Sequence, residues 1–334
     1  MFLVPHSPEL SSSGCQVVVV DEFEIIRRYF KPEKKSESVI VGVGDDGAVL
    51  RPDPERDLIS VVDTMVESIH FPANMHAEDI GFRAVAVNVS DIAAMGGRPR
   101  WMTLALTMKE GDPAWVQDFA RGIRLAGDRF GVELVGGDTT RGGEIVISVQ
   151  VMGDVRPGQA MIRSGARPGD GIYVSGTPGD AALGLSVIQS GQVLDDRLEY
   201  LVRRFTRPDA RVELGQEIAV VASAAIDLSD GLFTDLEKLL CASAVSGCIE
   251  LNRIPMSDEL RSTIQGEDAI RFVLGGGDDY ELCFTAATDE IDELAGVAGV
   301  PVTRIGNVGE GGGLTCTLDG ITYDYHDDGY RHFR

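Results

Sequence analysis

Residues 42–50, Gly42-Val43-Gly44-Asp45-Asp46-Gly47-Ala48-Val49-Leu50, follow an apolar run at Val39–Val43 and satisfy the pattern GxGxxG. Asp63 lies about where a dinucleotide-binding fold carries its ribose-binding acid. That fingerprint requires a helix to open at its glycines, so that the helix N-terminus meets the pyrophosphate. Here Ala48–Leu50 continues as a strand and Pro52 and Pro54 follow, which leaves no helix to open. Two adjacent aspartates would also repel a pyrophosphate unless a cation stood between them. The stretch reads as strand, acidic turn, strand, and the dinucleotide fold is excluded.

Outward from this turn, Asp21–Phe30 places Phe23, Ile26 and Phe30 on one helical face. Strand-like runs occur at Leu58–Val62, Trp101–Met108, Val132–Val135 and Ile145–Met152, with helical patterns at Glu78–Met95 and Ala114–Phe130 between them. Punctuation then thickens at Arg156-Pro157-Gly158 and Gly165–Asp170, which predicts a domain boundary there. The second half repeats the mixture. Its strands are expected near Ile172–Ser175, Ala224–Ile226, Tyr280–Thr285 and Val302–Ile305, and its helices near Ala181–Gln189, Ala210–Val221 and Gly231–Ala244. The fold class is therefore α/β or α+β, in two domains at 21–155 and 156–334 after a loose extension over 1–20.

Composition narrows the function classes. The 334 residues are 43% hydrophobic and 25% charged, as in ordinary globular proteins. Against 53 Asp and Glu stand 30 Lys and Arg, a formal charge of −23. A field of that sign repels nucleic acid and anionic lipid, so neither is expected as a partner. Five unclustered cysteines indicate neither a disulfide framework nor a zinc site, and most read as small core residues. With no signal peptide and no membrane-length apolar run, a cytoplasmic location is expected.

The aspartates cluster at glycine-flanked turns after apolar strands: Asp45-Asp46, Asp63, Gly137-Asp138 and Asp227-Leu228-Ser229-Asp230. Any one such turn suits Asp and Gly for backbone reasons alone. Four together suit a hard divalent cation, because Mg²⁺ takes oxygen ligands and shares carboxylates with substrate phosphates. Asp91 adds a second argument. It lies in a stripe with Ala84, Asn88 and Met95 on a helix otherwise apolar nearly all round, so the helix is expected to be buried. A buried carboxylate there needs a metal or a local partner. No P-loop occurs, lysine is scarce, and Arg141 and Arg163 stand near the acidic segments, where a guanidinium can grip phosphate.

These segments, GVGDDGAVL (42–50), DTMVESIHF (63–71), AVNVSDIAAMGGRPRW (86–101), GGDTTRG (136–142), AIDLSDGL (225–232), GGGDDYELCFT (275–285) and GYRHF (329–333), occur in an order that resembles the thiamine-monophosphate kinase family. That family belongs to the superfamily of aminoimidazole ribonucleotide synthetase and selenophosphate synthetase. The resemblance covers the chain from about residue 21 onward. It implies a two-domain synthetase-like fold whose N-terminal mixed sheet pairs across a homodimer, with ATP between the domains. It further implies phosphorylation of thiamine monophosphate to thiamine diphosphate by ATP with several Mg²⁺ ions, in direct in-line transfer. By position, Asp46, Asp63, Asp91, Asp138, Asp227 and Asp230 match metal ligands. Gly137, Asp138, Arg163 and Ser229 match ATP contacts, and His70, Asp278 and Tyr330 match positions around thiamine monophosphate. No general base is expected, since the attacking phosphate oxygen is already ionised.

Three departures from the family pattern stand out. Val61 and Val62 replace hydroxyl-bearing residues, Ser68 a glycine, and Asp278 a glutamate. The rivals are another ATP-dependent enzyme of the superfamily, such as aminoimidazole ribonucleotide synthetase, and a non-catalytic acidic module binding metal or nucleotide. Selenophosphate synthetase is disfavoured because Cys15 stands about thirty residues before Gly44, and the hydrogenase-maturation relative because the chain ends in His332-Phe333-Arg334.

Overall fold

A computed structural model describes residues 22–32, 35–287 and 299–326. The expectations for the N-terminal extension, Cys15 and Tyr330 lie outside these residues. The first element among the described residues is α1 (Glu22–Ile25), which runs on as a π-turn over Ile26–Phe30. The short strands β1 (Val39–Val41) and β2 (Val49–Leu50) pair antiparallel, with the acidic turn between them. No helix opens there, in agreement with the strand reading.

The first half then builds β3 (Asp57–Val66), α2 (Ala77–Ala94), β4 (Arg98–Met108), α3 (Pro113–Phe130), β5 (Glu133–Arg141) and β6 (Val146–Val155). The four long strands form one mixed sheet in the order β3-β6-β4-β5, with β4 and β5 parallel and the other pairs antiparallel. α3 begins where expected from its chemistry: Asp112 accepts the Ala114 amide at 3.0 Å and Pro113 occupies the first turn. Gly131 ends it at φ 68, in the left-handed region.

Two expected turns are strand instead. Asp63 stands inside β3, and Gly136–Arg141 continue β5 through the segment read as a glycine turn. Glycine permits this because a methyl on Gly137 would collide with the Leu104 carbonyl of the neighbouring strand. The flat alternation of strand pairing won over the local turn preference of Gly-Gly-Asp.

One face of this sheet is apolar and covered. Ile59, Met65, Leu104, Leu106, Ile147 and Val149 pack beneath α2 and α3. The two helices touch closely at glycines: a methyl on Gly122 would fall on the Glu78 carbonyl oxygen. Of the 18 residues of α2, 14 are buried, so the helix is enclosed on nearly all sides, as its composition predicts. Burial of the apolar ones contributes about 1.5–3 kcal/mol for each large side chain. On the sheet's other face the register aligns Thr64 with Ser148 and Thr107 with Thr140, and their hydroxyls meet at 2.7 and 2.8 Å. Most of that face is uncovered, and Val62 on it is 62% exposed.

The second half comprises β7 (Gly171–Ser175), α4 (Asp180–Ser190), α5 (Asp196–Thr206), α6 (Val212–Ile218), β8 (Ala222–Asp227), α7 (Leu232–Ser243) and β9 (Ser246–Glu250). It continues with α8 (Asp258–Thr263), α9 (Glu267–Gly275), β10 (Leu282–Ala286), β11 (Val302–Gly309), β12 (Gly313–Leu318) and β13 (Ile321–Tyr323). Among the described residues seven strands order as β13-β12-β9-β11-β7-β10-β8. α5, α8, α9, β9, β12 and β13 have no counterpart in the sequence reading. Cys283 and Cys316 are buried as expected, but Cys241 and Cys248 are exposed, because they sit on the outer sides of α7 and β9. Among the described residues no helix is long and apolar enough to cross a membrane.

Candidate functional site

The two halves leave a cleft of about 820 Å³ between them, and α2 forms one wall of it. α2 reaches both sheets, packing on β3 and β6 along one side and toward β8 on another. Its polar residues are therefore held where the halves meet. Asn88 is buried and accepts the Asp63 amide at 2.8 Å, so α2 holds β3 at the residue that carries the carboxylate. Ser90 donates to an Asp227 carboxylate oxygen at 2.7 Å, tying α2 to the end of β8.

Asp63, Asp91, Asp227 and Asp230 all line this cleft. Their electrostatics reveal the crowding. Burial pushes Asp91 up to about 7; the charge of Asp63 adds to this, and Arg163 opposes it. Asp227, at 5% exposure, is raised well above the usual carboxylate range by burial and then by Asp91, while the Ser90 hydrogen bond works the other way. Burial also raises Asp63, with His70 opposing and Asp230 reinforcing the shift. Carboxylates that raise one another in this way need positive charge to ionise together. Asp230 already has some, in an ion pair with Lys238, whose ammonium also reaches Asp235 at 2.8 Å.

Among the described residues no three His, Cys, Asp or Glu side chains form a ready-made metal cage. Dispersed carboxylates with open space between them suit Mg²⁺, which keeps waters and takes the rest of its ligands from phosphate. They do not suit a cation that needs every ligand from protein. The donor chemistry thus fits the expected metal.

Arg163, Ser229, His70 and Asp278 line the same cleft. The His70 Nδ1 accepts the Val66 amide at 3.0 Å, which fixes the ring just beyond β3. Ser68, two residues before it, has φ 65, a conformation that favours glycine. Val61 is half-buried against the core and Val62 is exposed on the open sheet face.

Gly137, Asp138 and Asp46 do not line the cleft; all three are exposed. Strand register aligns Asp138 with Ala105, Ser148 and Thr64, on the uncovered face, whereas Asp63 points to the helix-covered side. Asp46 lies in the loop between β1 and β2, and Arg141 is exposed at the end of β5.

Arg83, Asn88, Ser90, Lys238 and Tyr280 complete the surroundings; the sequence reading assigned none of them a role, although Asn88 stood in the Asp91 stripe and Ser90 and Tyr280 within quoted segments. Arg83 had a usable signal: it stands four and eight residues before Val87 and Asp91, on one stripe of a largely apolar helix. The GGGDDYEL segment is accounted for side by side with it. Asp279 accepts the Gly179 and Ala181 amides at 2.5 and 3.0 Å, capping α4. Glu281, completely buried, would be raised by burial alone, but Arg211 and Arg204 bring it down to about 2.

The family model for the AIR synthase related protein N-terminal domain matches residues 44–155, and that for the C-terminal domain matches residues 167–319. Thiamine-monophosphate kinase from Escherichia coli K12 is 42% identical over 93% of this chain and 98% of its own length. The crystal structure of thiamine-monophosphate kinase from Stenotrophomonas maltophilia superposes with a TM-score of 0.81 at 42% identity, covering 86% of this chain and 93% of that one. A structure of AaThiL complexed with AMPPCP and TMP superposes at 0.77 with 32% identity, covering 89% and 93%. With matches of this identity across nearly its whole length, and an acidic cleft at the junction of its two halves, the chain belongs to the thiamine-monophosphate kinase family of the AIR synthase-related superfamily.

Proposed function

We infer that this protein transfers the γ-phosphoryl group of ATP to the phosphate of thiamine monophosphate, forming thiamine diphosphate and ADP. The observation that carries the reading is the cleft itself, where four carboxylates crowd together opposite Arg163. A relative was solved with AMPPCP and TMP, which matches a two-substrate cleft of this kind.

The difficulty of the reaction is the meeting of two polyanions, so catalysis is positioning and charge neutralisation. Bound Mg²⁺ supplies positive charge between the phosphates and the carboxylates. We assign Asp63, Asp91, Asp227 and Asp230 to hold it, supported by their shared place in the cleft, and Asp46 and Asp138, which stand outside the cleft, by the motif pattern alone. Gly137, Asp138, Arg163 and Ser229 are assigned to ATP. Arg163 offers a cation to a phosphate oxygen. Asn88 and Ser90 keep Asp63 and Asp227 in place before substrate arrives, which avoids reorganisation during transfer. His70, Asp278 and Tyr330 are assigned to the thiamine end. The acceptor oxygen needs no base, and no proton moves in the transfer itself.

The uncovered sheet face supports a homodimer in which two such faces meet, and the domain division is placed at residue 156. The cytoplasm is the compartment that this reading implies. The direct experiment is incubation with Mg-ATP and thiamine monophosphate, with thiamine as control and chromatography as readout. Thiamine diphosphate is expected from the monophosphate alone. ADP release without diphosphate would move the assignment to another superfamily substrate.

A further inference from the structure

Arg83 is 1% exposed, yet it lines the cleft. Its Nη1 donates to the Phe205 carbonyl at 2.7 Å, and its Nη2 pairs with Asp278 Oδ1. The guanidinium carbon lies 4.2 Å from the Phe205 ring centre and 5.5 Å from that of Tyr280. Among the described residues Nε has no hydrogen-bond partner. A buried ion pair is seldom the most stable filling for such a space, since apolar side chains of similar volume serve as well. A buried cation at the wall of a reaction cleft therefore asks for another purpose.

The partner loop supplies one. Asp278 and Tyr280 have φ values of 72 and 53, in the left-handed region that side chains with a Cβ avoid. The loop is held there by amide bonds of 2.9 Å from Asp278 to the Ser229 carbonyl and from Tyr280 to the Leu228 carbonyl. The Tyr280 hydroxyl reaches Asp278 Oδ1 at 3.4 Å. Both side-chain contacts thus fall on one oxygen. Among the described residues Oδ2 accepts no hydrogen bond, and Asp278 keeps partial exposure in the cleft.

We propose that Arg83 is a positioning residue for thiamine monophosphate, pinning Asp278 so that Oδ2 stands ready for the substrate. The proposal rests on the kinase reading above. Sharing its charge with Arg83, the carboxylate recognises an N–H donor by direction, as the amine of the thiamine pyrimidine presents one, rather than any cation by field strength. A pinned carboxylate binds with less loss of side-chain freedom than a loose one.

The test compares Arg83→Met, Arg83→Lys and the double variant Arg83→Lys/Asp278→Glu, which restores the lost reach from the other side. Calorimetric binding of thiamine monophosphate and the KM values of both substrates are measured, with near-ultraviolet circular dichroism as the check of folding. Arg83→Met is expected to weaken thiamine monophosphate at least tenfold while the KM for Mg-ATP stays within twofold. The double variant is expected to bind better than Arg83→Lys alone. Equal losses for both substrates, or unchanged thiamine monophosphate binding in a folded variant, overturn the assignment. If Arg83→Met does not fold, a double variant no better than Arg83→Lys overturns it equally. Wild-type protein that binds thiamine monophosphate but forms no diphosphate refutes the kinase reading and leaves the binding comparison decisive for Arg83.

Discussion

Asp91→Asn measures how strongly the cleft calls for positive charge. Asp91 is half-buried beside Asp227 and Asp63, and its carboxyl is pushed up to about 7 from an ordinary 3.8. Holding the proton from an ordinary 3.8 up to about 7 corresponds to about 4 kcal/mol. The sign follows from linkage. The folded protein holds this proton more tightly than the unfolded chain, so the associated stability is complete below about pH 4 and lost as pH rises through about 7. Metal-free wild-type protein should therefore lose stability steeply between those values, with Asp227 sharing the effect. Asparagine keeps the shape and removes the charge. In urea titrations with chelator, Asp91→Asn should be more stable than wild type at pH 8.5, by up to about 4 kcal/mol, and should show little advantage at pH 4.5. Mg²⁺ with nucleotide should stabilise wild type far more than the variant, reversing the order. Turnover should fall at least a hundredfold. A variant no more stable than wild type at pH 8.5 without metal would refute the argument from crowded carboxylates.

Three further outcomes are expected. Asp230→Asn, which also leaves Lys238 to Asp235, should raise the Mg²⁺ concentration for half-maximal turnover at least tenfold, and an unchanged titration removes Asp230 from the ligand set. Ser68→Gly relieves a left-handed serine and should gain about 0.5 kcal/mol after the added freedom of the unfolded chain is subtracted, seen as a small rise in Tm with KM values kept. A fall in stability would mean that the Ser68 side chain makes contacts which outweigh the strain. Val62→Lys places two like charges on the exposed sheet face and should convert a dimer to monomers in light scattering; a variant that stays dimeric excludes that face as the interface.

Much of the site was legible because its chemistry is local. The acid at 91 stood out against an apolar helix, and α2 proved buried on nearly all sides, as that pattern requires. Asp227 closes β8 and Asp230 follows it, and the absence of a helix after Gly47 separated this chain from dinucleotide folds. Other features were invisible for definite reasons. Gly136–Arg141 carry turn chemistry, yet β4 draws them into a strand, because ladder hydrogen bonds outweigh a weak local preference. α5 is strongly amphipathic and capped by Asp195, but its many charges hid it beside the more apolar helices. Arg83 took no part in the sequence reading, because its partner Asp278 stands 195 positions away and only folding brings the two together.

Sequence alone thus pointed to the kind of chemistry: carboxylates at strand ends suit a divalent cation shared with phosphates, and the motif order, by its resemblance, indicated the family. Tertiary structure decided which of those residues share a space. It brought Asp63, Asp91, Asp227 and Asp230 to one cleft and placed Asp138 on the opposite face of the sheet, since side chains alternate along a strand and register sets the face. It also paired a cation of the first half with a strained loop of the second, because only folding sets the distance between residues so far apart in the chain.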